Sequence, residues 1–170
     1  MVSSAPVRLQ LTMKMKTLLI LVCLVGCASL ASAQVKYSHD VAVAKVQAAG
    51  IPIWSSGGCS DRYNPSCTSL EQVNANSIDS GSGGITVFKS ASGCPVTITG
   101  GTETGHGNGA GFSHWNGYKI DISLNSCVDN WIYSAYTFIG NRPGDNAPQY
   151  QSAAGNIYAR EIDHWDITYY

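Results

Sequence analysis

Basic charge is scarce in this chain. Ten Lys and Arg stand against eleven Asp and Glu in 170 residues, a formal net charge of −1. Nucleic acid and anionic membrane surfaces are bound by clustered Lys and Arg, and the lack of such clusters argues against both as partners. Long apolar runs are lacking as well. The one strongly apolar stretch, "TLLILVCLVGCASL", is too short and too rich in small residues at its end to span a bilayer, and nothing after it is longer. Cysteines at CxxC spacing are also missing, which argues against a four-thiolate zinc site. Internal repeats and low-complexity stretches are absent.

What is present begins with a secretory pattern. Lys14 and Lys16 precede the apolar run, and "ASA" at Ala31 to Ala33 supplies the small residues a signal peptidase needs. The expectation is a signal peptide over residues 1–33, with Met13 or Met15 as alternative starts, and a mature chain from Gln34. Arg8, Lys14 and Lys16 leave with it, so the mature charge is 7 − 11 = −4. The remaining 170 − 33 = 137 residues suit a single domain, expected to be secreted, extracellular and monomeric. Cys23 and Cys27 fall in the signal, leaving Cys59, Cys67, Cys94 and Cys127, an even number in an oxidising compartment. Of the three pairings, Cys59–Cys67 and Cys94–Cys127 are favoured, the first closing a small loop and the second tying a strand to a helix.

The periodicity predicts an α+β domain, with short N-terminal helices packed on a small antiparallel sheet and stapled by two disulfides. Ser38 is a candidate cap for a first helix, with Val41, Ala44, Lys45 and Ala48 on one side and Gly50 and Pro52 as stops. Thr68 and Glu71 stand at capping-box spacing, placing a second helix start there. "ITVFKSASG" fits helix or strand and leans to helix, with Gly93 as its stop. Strands are expected at "CPVTITGG", "YKIDIS", "IYAR" and "WDITYY", and a loop at "NRPGDNAPQYQSAAGN". Asn125 can cap a helix carrying Val128, Trp131, Ile132, Ala135 and Ile139 up to Gly140.

Four histidines are few, and two have informative company. His114 and Asp121 are seven apart, which in an unbroken strand means roughly 23 Å and opposite faces. Asn116-Gly117 lies between them and is a strong tight-turn pair, so the chain can reverse and bring them together. Near the other end Glu161 and His164 are three apart, close enough to meet in a helical turn or a tight bend. His114, Asp121 and His164 can thus supply three ligands to one zinc ion. Glu161 is left to take a proton from water as general base, a role that Asp163 shares as a candidate because it also flanks His164.

These residues carry a resemblance to the zinc D-Ala-D-Ala peptidases and related endolysin peptidases of the Hedgehog/DD-peptidase fold. The resemblance covers roughly Ile85 to Trp165 and rests on His-x6-Asp with its turn glycine, here His114, Gly117 and Asp121, and on Glu-x-x-His, here Glu161 and His164. It implies a Hedgehog/DD-peptidase-like fold, a single zinc on His114, Asp121 and His164, and Glu161 as base. Two departures stand out: Ser113 is adjacent to the histidine rather than two before it, and no basic residue lies in Gly100 to Ala110, where the family carries an Arg. Charge developing in the transition state would need another partner.

Glu103 and His106 in "GGTETGH" can line such a site, His106 as a substitute ligand, as a partner behind a ligand or as a solvated loop residue. Trp115, Tyr118 and Trp165 flank the ligands and can wall a substrate, although core packing is the commoner use of aromatics beside a sheet. The expectation is a secreted zinc-dependent peptidase acting on a small peptide, a D-alanine-containing peptidoglycan stem. The alternative is a secreted binding protein that keeps the fold, and the metal or not, without turnover, which the missing Arg and the acidic charge favour. A metal-free extracellular structural or toxin-like domain has only the disulfides in its support.

Overall fold

The computed structural model describes residues 34–81, 83–106 and 109–170. The expected signal peptide lies outside them. A two-stranded ribbon pairs β1 (Lys36–Tyr37) with β2 (Val73–Asn74), and between and after these come α1 (His39–Ala48), α2 (Ala75–Ile78) and α3 (Ile85–Ser92). The main sheet has six antiparallel strands: β3 (Ile98–Gly100), β4 (Lys119–Ser123), β5 (Thr137–Asn141), β6 (Pro148–Gln151), β7 (Ile157–Arg160) and β8 (His164–Thr168). Their order is β3-β4-β8-β7-β6-β5, and α4 (Ser126–Ala135) connects β4 to β5. The predicted α+β class with a small antiparallel sheet is observed.

Strand alternation divides this sheet into a core face and a polar face. Ile120 and Ile122 of β4 stand opposite Ile167 and Trp165 of β8, and these four are fully buried. They join Tyr158 and the inward residues of the helices, Val46, Ile78, Ile85, Phe88, Val128 and Ile132, in one hydrophobic cluster. On the other face Lys119, Asp121 and Ser123 stand opposite Thr168, Asp166 and His164. Both predicted disulfides are formed, Cys59–Cys67 and Cys94–Cys127, as in a chain that folds in an oxidising compartment. Among the described residues no helix is long and apolar enough to cross a membrane.

Several expectations are corrected by tertiary contacts. The buried residues of α1 are Ala42 and Val46, whereas Val41 and Ala44 face solvent and Lys45 pairs with Asp79 at 2.6 Å. No helix starts at Thr68, because its hydroxyl donates to the carbonyls of Trp54 and Thr99 and the Glu71 carboxylate accepts from His39 N–H. The second helix begins at Ala75 instead. Asn125 caps α4 as expected, accepting from Val128 N–H at 3.0 Å, but the helix ends at Ala135 and Ile139 belongs to β5. β-branched and aromatic residues at 137–139 pair better as strand, and their partner β6 arises within the predicted loop. The ambiguous "ITVFKSAS" is helical and stops at Gly93, whose φ of +66° is the left-handed cap.

Candidate metal centre

Asp121 sits at the middle of β4 on the polar face, and three histidines reach it from three different segments. The turn after His114 delivers the first. Gly117 N–H donates to His114 O at 2.8 Å and Tyr118 N–H to Ser113 O at 3.1 Å, so the chain reverses as the Asn-Gly pair predicted. Gly117 has φ +82°, and a Cβ there would stand 2.5 Å from Gln72 O and 2.8 Å from Asn74 N, so only glycine fits. The reversal places His114 Nε2 3.3 Å from Asp121 Oδ1. His164, at the start of β8, brings its Nε2 to 3.7 Å from the same oxygen. His106, on the loop after β3, places Nδ1 3.3 Å from Asp121 Oδ2 and stacks on His114 with ring centres 4.2 Å apart.

Each imidazole has its other nitrogen committed to an oxygen. His114 Nδ1–H donates to Gly101 O at 2.6 Å, His106 Nε2 contacts Glu103 Oε1 at 2.9 Å, and His164 Nδ1 contacts Asp163 Oδ1 at 2.7 Å. A carbonyl can only accept, so in the neutral His114 ring the proton sits on Nδ1 and the lone pair of Nε2 faces the centre, and carboxylate acceptors favour the same arrangement in the other two. This is how metal-binding histidines are held, with an outer acceptor fixing tautomer and ring plane. Glu103 is itself pinned, 1% exposed, by the N–H groups of Ser69 at 2.7 Å and Gly101 at 3.1 Å. Gly100, directly opposite Asp121, leaves room for the carboxylate: a Cβ there would be 2.5 Å from Asp121 Oδ2.

The electrostatics fit a place for a cation. Asp121 Oδ1 and Asp166 Oδ1 are buried with no hydrogen-bond partner. Burial opposes a charge on His114, but Asp121 and Asp166 outweigh it and raise the imidazole to about 10. In His164 burial is likewise outweighed, by Asp121 first and then Asp163, and its pKa is raised. Burial disfavours ionised Asp166, yet contacts with His114 and Lys119 hold it well below the usual carboxylate range. Three carboxylates, Asp145, Glu161 and Asp166, surround the Arg142 guanidinium and keep it charged despite partial burial.

The donor atoms of His106, His114 and Asp121 all lie within 4.8 Å of one another, so these three can hold a metal ion. His106 therefore stands closer to a ligand's position than its loop setting conveyed, while His164 joins through Asp121. A cavity of about 500 Å³ opens onto the group, bordered by His106, His114, His164, Glu161, Lys119 and Arg142. Glu161 Oε2 lies 3.5 Å from His164 Nε2, and its other oxygen is held by Arg142. Asp163 is on the Nδ1 side of His164, its side chain 85% exposed, so it backs the imidazole instead of facing Asp121. Ser113 is buried at the cavity wall, its hydroxyl accepting from Asn116 N–H at 3.2 Å.

Trp115, Tyr118 and Trp165 do not border this cavity, whose aromatic wall is Phe112. Trp165 alternates with His164 onto the core face, fully buried, and donates to Asp129 Oδ1 at 2.8 Å. Trp115 lies under Arg62, whose guanidinium is 3.9 Å from its ring centre, and Tyr118 packs edge-on against Phe112. Sequence reasoning missed Asp166, Lys119 and Arg142. The first two carry the signal of strand alternation, two residues from His164 and from Asp121; Arg142, from the β5–β6 loop, carries none.

Comparison with family models, with curated proteins and with solved structures gives no match. The fold and the site thus define the class themselves: a disulfide-stapled α+β domain with a His/Asp group able to hold a metal ion.

Proposed function

We propose that this chain is a secreted zinc-dependent peptidase, hydrolysing a small peptide of the kind found in peptidoglycan stems, with D-alanine at or beside the scissile bond. The observation that carries the reading is the orphaned, buried Oδ1 of Asp121, approached by the free nitrogens of His114 and His164. A nitrogen and oxygen donor set without thiolate is the kind used by zinc in hydrolytic enzymes. When bound, zinc polarises a carbonyl and lowers the pKa of water from about 15.7 to about 7. In this reading His114, Asp121 and His164 hold the ion, with His106 and Glu103 beside them. Glu161 takes a proton from the attacking water as the new C–O bond forms and delivers it to the amine nitrogen as the C–N bond breaks. Arg142 keeps Glu161 in place by binding one of its two oxygens.

A second reading, a binding protein without turnover, is favoured by one feature. Both cations at the cavity are already engaged, Lys119 with Asp166 at 2.6 Å and Arg142 with three carboxylates, so neither is free to meet developing negative charge. Incubating zinc-loaded protein with muropeptides and following product release separates the two. Turnover that falls by roughly 10² to 10⁴ in Glu161→Gln, with zinc retained, supports the peptidase. Zinc binding with no cleavage of any muropeptide supports the binding protein.

A further inference from the structure

Asp166 is placed by the register of the sheet directly across from Asp121, so two carboxylates face each other on neighbouring strands. Like charges opposite one another repel, and here both side chains are more than nine-tenths buried. The two oxygens of Asp166 are treated differently. Oδ2 accepts from Lys119 Nζ at 2.6 Å and from Arg142 at 2.7 Å, which is ample compensation. Oδ1 has no hydrogen-bond partner, and it lies 3.6 Å from His114 Nε2. Asp121 Oδ1 has none either, and it lies 3.3 Å from the same nitrogen.

A single Nε2–H cannot satisfy two carboxylate oxygens, and here it meets hydrogen-bond geometry with neither. A cation between them satisfies both at once. Donors held about 2.0 to 2.2 Å from one ion lie about 2.8 to 3.6 Å from each other, the edges of an octahedron or tetrahedron. The two distances to His114 Nε2 fall in that range. We infer that Asp166 is a further ligand of the cation at His114 and Asp121, giving Oδ1 to the ion while Lys119 and Arg142 fix Oδ2. Two carboxylates then match the charge of a first-row divalent cation, and imidazole supplies the remaining selectivity. The inference rests on the reading that the site binds a metal, but not on peptidase activity.

The test is metal affinity of the full chain, measured by titrating Zn²⁺ into chelator-treated protein against a competing chelator. Asp166→Asn keeps the shape but weakens the donor, and its Zn²⁺ affinity should fall by more than about 100-fold, beyond the 10–100-fold typical of losing a partner behind a ligand. Lys119→Met removes a partner of Oδ2 and leaves Oδ1, so its loss should stay under about 100-fold. Asp166→Cys gives a positive signal even where the Asn variant does not fold: a thiolate in the ligand position shows sulfur-to-cobalt charge-transfer absorption with Co²⁺. A smaller affinity loss in Asp166→Asn, or a folded Asp166→Cys protein that binds Co²⁺ without that band, reduces Asp166 to an ion-pair partner and overturns the inference. Wild-type protein that takes up no ion overturns the metal reading itself, whereas an ion bound without muropeptide cleavage leaves Asp166 as its ligand.

Discussion

Replacing Gly100 by Ala separates the metal centre from the rest of the fold. The added Cβ would stand 2.5 Å from Asp121 Oδ2 and 3.1 Å from Asp121 Cβ and Cγ, so the carboxylate must rotate or the strands must part. Gly100 is not in the left-handed region, so contact alone causes the effect. Overpacking of this kind costs about 1–3 kcal/mol. For the 137 residues from Gln34 the unfolding entropy is about 0.29 kcal/mol/K, so Tm should drop by about 3–10 °C. Metal affinity should fall further in relative terms, by about 10–100-fold, because Asp121 is the residue all three imidazoles share. Calorimetric titration with Zn²⁺ alongside thermal unfolding measures both. Gly93→Ala is the control: its added Cβ meets nothing within 4 Å, but the φ of +66° strains any residue with a Cβ, so Tm falls while affinity holds. A Gly100→Ala protein that binds metal like wild type would refute the placement of Asp121.

Four further outcomes are expected. His164→Ala should lose zinc affinity and any peptidase activity together, whereas Glu161→Gln should retain the metal; dialysis followed by metal analysis distinguishes them. The metal-free chain should lose stability to denaturant as pH rises from 6 to 10: His114 is raised from 6.5 to about 10, so its contribution is complete below about 6.5 and is lost as pH rises toward 10. Urea midpoints at pH 6, 8 and 10 check that sign, and midpoints that rise across the window contradict it. Removing Cys94–Cys127, a closure over 33 residues, should destabilise by about 4 kcal/mol in the chain-entropy model, against about 2.5 kcal/mol for the 8-residue Cys59–Cys67 closure. The smaller loop should nonetheless cost more metal affinity, since Arg62 within it donates to Thr102 O at 3.1 Å and accepts from Thr104 N–H at 2.9 Å, on either side of Glu103.

Much of the centre was legible because its residues obey local rules. The Asn-Gly turn reverses the chain between His114 and Asp121, and Glu161 and His164 meet through a tight bend closed by Glu161 N–H to His164 O at 3.0 Å. The cysteine pairing was legible because Cys59 and Cys67 are eight residues apart and close a small loop, which leaves Cys94 and Cys127 for each other. Trp165 shows where residue type misled: an aromatic beside a ligand looks like a substrate wall, but a strand turns successive side chains to opposite faces, and this one fills the core. Thr68 and Glu71 show the opposite failure, a sound capping pattern overridden because both side chains bond to distant segments. Arg142 could not be found at all, since it reaches Glu161 and Asp166 from a hairpin whose pairing the chain order does not announce.

The most direct measurement is metal content. Full-length protein recovered from an oxidising secretory host, dialysed against zinc-containing and then zinc-free buffer, should hold one zinc ion per chain. A variant carrying His114→Ala and Asp121→Ala together should hold none while keeping both disulfides. Wild-type protein that emerges without a bound ion, or a double variant that retains it, contradicts the account of Asp121 as the centre of a metal site.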